Sequence, residues 1–544
     1  MFGGNNLNCK KLLTFTASVV LSLGVAANTT SVAFAADSNS NKSTVSESTN
    51  VKKKKTTPAQ VTTSYDLMTK VAGNKNYKVW KSVNNGKPVG KVADGINFRY
   101  NHIQSNQSIK TKKYTYWLIY VDGRRVGWVN ERFFARNEIA VPKTVSLVNN
   151  ENYLFDTRDA ISYATDDTGT VVDNDEVSVS KDGVDCTDPK TYNVKYTYGK
   201  AKATVKITVR KSTSEGIGNA DAVTPKEGTN SLKSPDSHYG SSLNYINPKE
   251  FTPEKKTHSW SSDDLTLKTR LFQPVLLSVK TDTNNDGNIN RVGHIPEGLT
   301  VSNGWAYTSL LSHTNLIQGH IVGYNLNKLV SPYNPQNLLT MSQSKFNTYV
   351  KNIKVSPYIP IGHGQAMGST KNYIYVLVND NTEQTSNKSE ELVQIRKSDM
   401  LINKIWTIKC WNGNENSPRY FKNAVITSDK QMYGLYYDKT TDRYEYWELN
   451  RTGDNWYPTL VGATKGKFVD NDSPIQGFSY DTKNKNFYLG FNDLIVKVGR
   501  DGELKKSYTF STGREIEGIS ISDERLYVNL APRAELLESQ SKLN

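Results

Sequence analysis

The chain has 544 residues, a formal net charge of +15 and a mean hydropathy of −0.60, with 22% charged residues, which excludes a polytopic membrane protein. Thirty-one Tyr, 36 Gly and 36% hydrophobic residues exclude a wholly disordered chain and favour β-structure. The length suits roughly three to four domains.

Residues 1–35 have the form of a secretory signal peptide. Lys10 and Lys11 form a basic n-region, Leu12 to Ala27 an apolar run, and Ala33-Phe34-Ala35 a small-residue cleavage site. Cleavage there removes Cys9 and leaves only Cys186 and Cys410, far apart in sequence, so no disulfide framework is expected. The mature chain is expected to be exported, with no transmembrane segment and no covalent wall anchor. Residues 36–60, mostly Ser, Asn, Thr and Lys, are expected to be a disordered linker.

Charge is concentrated. Residues 51–140 hold 18 Lys/Arg against 5 Asp/Glu, which accounts for nearly all of the basic excess. A localised positive field attracts polyanions. On an exported protein these are teichoic acids or other anionic envelope polymers, and nucleic acid is not an expected partner. Residues 61–140 also hold β-like runs at Tyr77-Lys78-Val79-Trp80, Tyr114 to Val121 and Val126-Gly127-Trp128-Val129, with a hairpin signal at Asp122-Gly123. Trp117, that turn, Val126-Gly127-Trp128-Val129 and Phe133-Phe134 resemble the GW type of bacterial SH3-like module. The resemblance implies a small barrel that holds proteins non-covalently on lipoteichoic acid. Lys112, Lys113, Arg124, Arg125, Trp128 and Arg132 are the expected polymer-binding residues, although Trp117 and Trp128 also suit a barrel core.

Residues 141–210 end in two alternating runs, Tyr192 to Tyr198 and Ala203 to Val209, around a turn at Gly199-Lys200: a hairpin with one buried face. They resemble the last strands of bacterial Ig-like domains, which implies a spacer. Residues 211–250, rich in Ser, Gly, Asn and Pro, are expected to be a second linker.

From 251 to 544 the chain repeats. Five segments open with a polar residue, then Gly or Ala, then an apolar residue, at Glu297, Gln365, Asn423, Gln476 and Glu517. Each leads, after a turn, to a strand bearing Tyr307, Tyr375, Tyr433, Tyr488 or Tyr527. Constant inner and variable outer spacing predicts a β-propeller whose first strands line a crowded channel. The fifth unit is short, and Leu271 to Val279 is expected to close the ring. The expected fold is therefore all-β and multidomain: SH3-like barrel, Ig-like sandwich and five-bladed β-propeller.

Equivalent openings would bring Glu297, Gln365, Asn423, Gln476 and Glu517 to one channel mouth, with His363 beside them. Such a ring suits a sugar, a cation or ordered water. Glu297 and Glu517, neighbours across the closure, are the ring's only carboxylate pair, the weak catalytic candidates for glycoside hydrolysis. Asp282, Asn284 and Asp286 have calcium-loop spacing, but Gly293 stands where the bidentate Glu belongs, leaving either a weak calcium site or a turn. No other cofactor is implied. Trp411, Trp456 and Tyr457, placed in loops, offer faces for stacking on sugars.

Ser473-Pro474-Ile475-Gln476-Gly477-Phe478-Ser479-Tyr480-Asp481 with Asn486-Phe487-Tyr488-Leu489, and Arg514 to Ile521 with Tyr527, resemble helveticin J, a large bacteriocin type; His363 to Met367 aligns more loosely. That resemblance implies a secreted antibacterial or wall-interacting protein of a Gram-positive bacterium and supplies no catalytic residues. The helveticin type lacks the basic N-terminal half, which favours a surface-retained, adhesin-like relative. The expected function is a wall-docked protein presenting a propeller to a glycan or host surface. The alternatives are a bacteriocin acting on competing cells and a wall-directed glycoside hydrolase.

Overall fold

The computed structural model describes residues within 59–234 and 257–544, apart from 68–76, 95–102, 149–153, 211–214, 274–280, 284–288, 292–295, 312–317, 331–347, 379–389 and gaps of one to three residues. The expected signal peptide and residues 36–58 of the first linker lie outside these residues, as do Asn284 and Asp286 of the calcium candidate, while Ala59 and Gln60, expected in that linker, open the first strand. Asp282 lies in a two-stranded ribbon, Thr281–Thr283 with Ile289–Arg291. Among the described residues the structure is built on β-strands, and no helix is long and apolar enough to cross a membrane.

The first sheet is six-stranded: β1 (Ala59–Leu67), β2 (Lys78–Asn84), β3 (Lys87–Asp94), β4 (Ile103–Lys110), β5 (Thr115–Val121) and β6 (Arg124–Asn130), in the order β1-β4-β5-β6-β2-β3. Alternation along β5 sends Trp117 and Ile119 into one apolar cluster with Val79, Val129, Phe133 and Phe134. Tyr116 and Leu118 enter another with Val83, Ile109 and Trp128. The Gly-Trp dipeptide has a steric reason. Trp128 pairs with Trp80 across β6 and β2, and a Cβ on Gly127 would stand 2.5 Å from the Trp80 carbonyl oxygen.

The predicted hairpin follows next, with Tyr198 opposite Ala201, so Gly199 and Lys200 form the turn. Val194, Tyr196, Val205 and Ile207 are fully buried on its inner face. Thr144–Val148 adds in parallel to its second strand, and the Tyr196 hydroxyl donates to the Thr157 carbonyl at 2.7 Å. Cys186 and Cys410 are both buried, and neither is in a disulfide.

Beyond residue 257 the described residues contain, besides that two-stranded ribbon, five larger antiparallel sheets. Their first strands are Leu299–Ser302, Met367–Ser369, Asn423–Ser428, Gly477–Asp481 and Glu515–Ser522. Each of these packs against the next, and the last packs against the first. The fit requires small residues: a Cβ on Gly298 would meet the Gly364 carbonyl oxygen at 2.1 Å. Alternation of sheet and turn around a common set of inner strands is propeller architecture.

Closure is observed, but by a strand earlier than expected. Leu265–Phe272, preceded by Ser259–Ser262, pairs with Glu535–Ser539 and so completes the fifth sheet with N-terminal chain. Of the expected segment, Leu271 and Phe272 belong to it, with Leu271 facing Leu536, and residues 274–279 lie outside the described residues. Glu535 holds the closure. Its buried carboxylate accepts from Arg514 Nη1 at 2.5 Å and Thr269 Oγ1 at 2.5 Å, and lies 2.9 Å from His258 Nδ1.

The segment 211–250 does more than connect. Glu215–Asn219 joins the second sheet in parallel beside Ile402–Trp411, and Lys226–Glu227 joins the third beside Asn455–Lys465. Leu232 then bridges Val469, and Ser234 Oγ reaches Ser473 Oγ at 2.8 Å. This strap supplies edge strands with the hydrogen-bond partners they would otherwise lack.

Candidate functional site

The polar residues that open the repeats sit at the ends of the five inner strands, and the backbone explains why several turn inward. The Glu297 N–H donates to the Ser309 carbonyl at 3.1 Å while the Ser309 N–H donates to the Gly298 carbonyl at 3.3 Å, so two residues oppose one. Gln476 donates to the carbonyl of Gly490, the residue that also pairs with Gly477. Glu517 is the extra residue between the pairs Ile516–Leu530 and Gly518–Asn529. Three of the five openings are therefore β-bulges, a device that re-aims a side chain.

The side chains form a chain of contacts across three sheets. Gln365 Nε2 donates to Gln476 Oε1, and Gln476 Nε2 donates to Glu515 Oε1 at 2.9 Å. Glu517, 3% exposed, faces Glu515, Gln365 and the charge of Glu297. At the rim, His363 Nε2 lies 3.6 Å from Glu297 Oε2. Asn423 takes a different role: it is buried and its Nδ2 donates to the Ile475 carbonyl at 2.9 Å, tying the third sheet to the fourth. The residues singled out by the repeat thus converge, except that Asn423 is committed to backbone.

Glu515 was missed. The repeat template begins at the polar opening and ignores what precedes it, yet a carboxylate two residues before Glu517 in a strand carries the signal of a shared face.

Electrostatically the cluster is an acid site. Burial pushes the Glu297 carboxyl up to about 8. Burial, then the charges of Glu297 and Glu515, hold Glu517 well above the usual carboxylate range. Glu515 is also raised by burial, opposed by its hydrogen bond with Glu517. Like charges in a poorly solvated mouth do not all ionise together, so the group shares protons. Among the described residues no group of three or more His, Cys, Asp or Glu is placed to hold a metal ion.

In the first sheet, Lys112, Lys113, Arg125 and Arg132 are exposed, and the Arg132 guanidinium lies 4.6 Å above the Tyr114 ring. The side chain of Arg124 lies outside the described residues. Trp128, expected among the polymer-binding residues, is 5% exposed and belongs to the core, because pairing with Trp80 turns it inward. The aromatics expected in loops are in strands. Trp456 is buried, Trp411 is half-buried, and Tyr457 stands out at 54% exposure.

Two family models match the chain: the GW (Gly-Tryp) dipeptide domain over residues 59–135 and the bacterial Ig-like domain (group 3) over residues 154–209. A GW domain followed by a bacterial Ig-like domain defines a surface-associated bacterial protein, and this one carries a propeller behind them. No curated protein matches the chain. Among solved structures, Myxococcus xanthus glutaminyl cyclase is similar at 11% identity, covering 46% of this chain and 91% of its own, with a TM-score of 0.27. The Cps50 (Swd1) β-propeller domain of Myceliophteria thermophila is similar at 8% identity, covering 54% and 98%, with a TM-score of 0.27. BamB from Moraxella catarrhalis gives 10%, 54%, 94% and 0.21. At these values the propeller rests on the sheet order of the chain itself.

Proposed function

We propose that this is a secreted protein of a Gram-positive bacterium, held non-covalently on an anionic wall polymer such as teichoic acid, that presents a five-bladed propeller to a glycan or other surface ligand. The blade count is supported by the cyclic packing of the five first strands and by closure through Leu265–Phe272. The observation that carries the docking half is the basic excess in the GW domain, with Lys112, Lys113, Arg125 and Arg132 exposed around a buried aromatic core. The same scaffold buries Trp117 and Trp128, so affinity for polymer comes from cations and is open to screening by salt.

The test is retention on purified walls. Screening shrinks from about 10 Å at 0.1 M salt to about 3 Å at 1 M, so the full chain is expected to elute as salt rises. The fourfold variant K112Q/K113Q/R125Q/R132Q is expected to elute at lower salt. Retention of the unaltered chain through a 1 M wash overturns docking by charge.

Two alternatives attach to the propeller. A helveticin-type action on competing cells predicts loss of viability when sensitive lactobacilli meet the full chain, and unaffected growth removes it. A wall hydrolase, favoured by the raised acid Glu297 beside Glu517, predicts release of wall sugar that is abolished in E297Q and E517Q.

A further inference from the structure

Other buried acids of the propeller have partners of the same chain. Glu535 has Arg514 at 2.5 Å, and Glu445, 1% exposed, has Arg419 at 2.8 Å and Arg443 at 3.2 Å, while Asp481 and Asp493 accept from backbone N–H groups. The channel mouth differs. Among the described residues neither Glu297, Glu515 nor Glu517 pairs with a Lys or Arg, and the nearest group able to carry positive charge is His363, 55% exposed at the rim. Glu517 is 3% exposed, and its Oε2 is buried and accepts no hydrogen bond. Gln476 donates to Glu515 and Gln365 to Gln476, and the contact of Gln365 with Glu517 leaves that second oxygen without a partner. A buried carboxylate oxygen without a partner is costly, and the cost falls when a donor arrives from outside.

We infer that the channel mouth takes a primary ammonium group, whose N–H donors reach the carboxylates of Glu297, Glu515 and Glu517 together. The inference rests on the reading of the mouth as a ligand site and names the chemistry of the ligand. Glu297 comes from the first sheet and Glu515 and Glu517 from the fifth, whose first strands pack together, and the charges of Glu297 and Glu515 both act on Glu517. That suits a compact ammonium with three divergent donors better than a guanidinium, whose planar fork matches a single carboxylate.

The groups facing the mouth are Glu297 from the first sheet, His363 and Gln365 from the second, Gln476 from the fourth, and Glu515 and Glu517 from the fifth. With the acids raised by burial and mutual repulsion, Glu297 to about 8, ammonium binding strengthens as pH rises and they ionise. His363 acts in the same sense, since losing its proton removes a competing charge.

The experiment is calorimetric titration of the full chain with N-acetyl-lysine amide at pH 6 and pH 8.5, alongside its side-chain-acetylated counterpart, chitotriose and calcium chloride. The expected result is binding of the lysine derivative alone, at least tenfold tighter at pH 8.5 and at least tenfold weaker in E517Q. E297Q serves as the second variant, and circular dichroism verifies both folds. Equal binding of the acetylated counterpart, or calcium binding reversed by chelation, overturns the inference. Binding of chitotriose without the lysine derivative, unchanged in E517Q, overturns the ammonium and leaves the glycan reading standing. Binding of none of them overturns both.

Discussion

The Glu535 clasp offers the sharpest test of how the ring is closed. Arg514→Met removes the cation at 2.5 Å from a carboxylate with 0% exposure, and leaves that charge to His258 and the Thr269 hydroxyl. Breaking a buried pair in this way costs about 3–5 kcal/mol, and the two surviving partners put this case near 3. Burial raises the Glu535 carboxyl, but the His258 hydrogen bond, the Arg514 charge and the Thr269 hydroxyl together hold it below its ordinary value. A carboxylate lowered in the folded state contributes stability that is complete above its unfolded value of about 4.3. That contribution disappears as pH falls through the lower folded value. Urea unfolding of the full chain, followed by tryptophan fluorescence, reads both effects, since the Trp260 ring lies 5.0 Å from that of His258. Arg514→Met is expected to shift the midpoint strongly at pH 7, and Glu535→Gln to flatten the acid limb. A loss below about 1 kcal/mol in the first, together with an unchanged acid limb in the second, would refute the clasp as an energetic closure.

Gly298→Ala forces a methyl against the Gly364 carbonyl and Gly518→Ala one against the Leu299 N–H at 2.8 Å; each is expected to cost about 1–3 kcal/mol by thermal unfolding. Gly127→Ala, with the Trp80 carbonyl oxygen 2.5 Å from the new Cβ, is expected to disrupt the GW sheet and weaken wall retention, measured by elution salt and near-UV circular dichroism. Lys397, lowered to about 8 by burial and then by Lys354, binds its proton less tightly folded than unfolded. Stability is therefore expected to rise as pH increases from about 8 toward 9.5, short of tyrosine ionisation, and Lys397→Met is expected to remove that rise. Deleting residues 215–234 is expected to lower the unfolding midpoint of the propeller, measured in the otherwise intact chain, because two sheets lose their outermost strand.

What the sequence disclosed depended on periodicity. The hairpin ending at Val209 was legible because alternation places Val194, Tyr196, Val205 and Ile207 on one face, and the repeat openings because crowding at the inner strands restricts them to Gly or Ala. The strap was not legible. Residues 211–234 have linker composition, and their strands exist because finished sheet edges need partners, a tertiary demand with no local pattern. Strand β-propensity likewise could not say that Trp456 packs inward and Tyr457 outward, although the two are adjacent. The Glu535 clasp was invisible for a further reason: His258 and Glu535 meet only once the ring has closed.

The step from each opening to its tyrosine, ten residues in four sheets and twelve in the fourth, has a structural origin separate from the channel. Tyr307 in the first sheet lies 4.9 Å beneath Lys397 of the second, whose Nζ donates to Ser302 Oγ at 2.5 Å and the Thr370 carbonyl at 2.6 Å. Tyr375 in the second donates to Asp429 of the third at 2.9 Å, beside Arg451, which donates to the Asp429 carbonyl at 3.0 Å. Tyr433 in the third donates to Glu448 at 3.1 Å, and Glu448 is gripped in turn by Arg500 of the fourth. Lys397, Arg451 and Arg500 all follow or end the third strand of their sheets, so one latch recurs at three successive junctions. A latch between neighbours fixes the distance from the crowded inner strand to the tyrosine, because both ends touch the same adjacent sheet. The repeat therefore encodes how sheets join, while the acids at Glu297, Glu515 and Glu517 are an addition made at one junction only, between the fifth sheet and the first. An element needed for packing recurs around a ring; an element present at a single junction answers to something else, and at this junction that is the mouth of the channel.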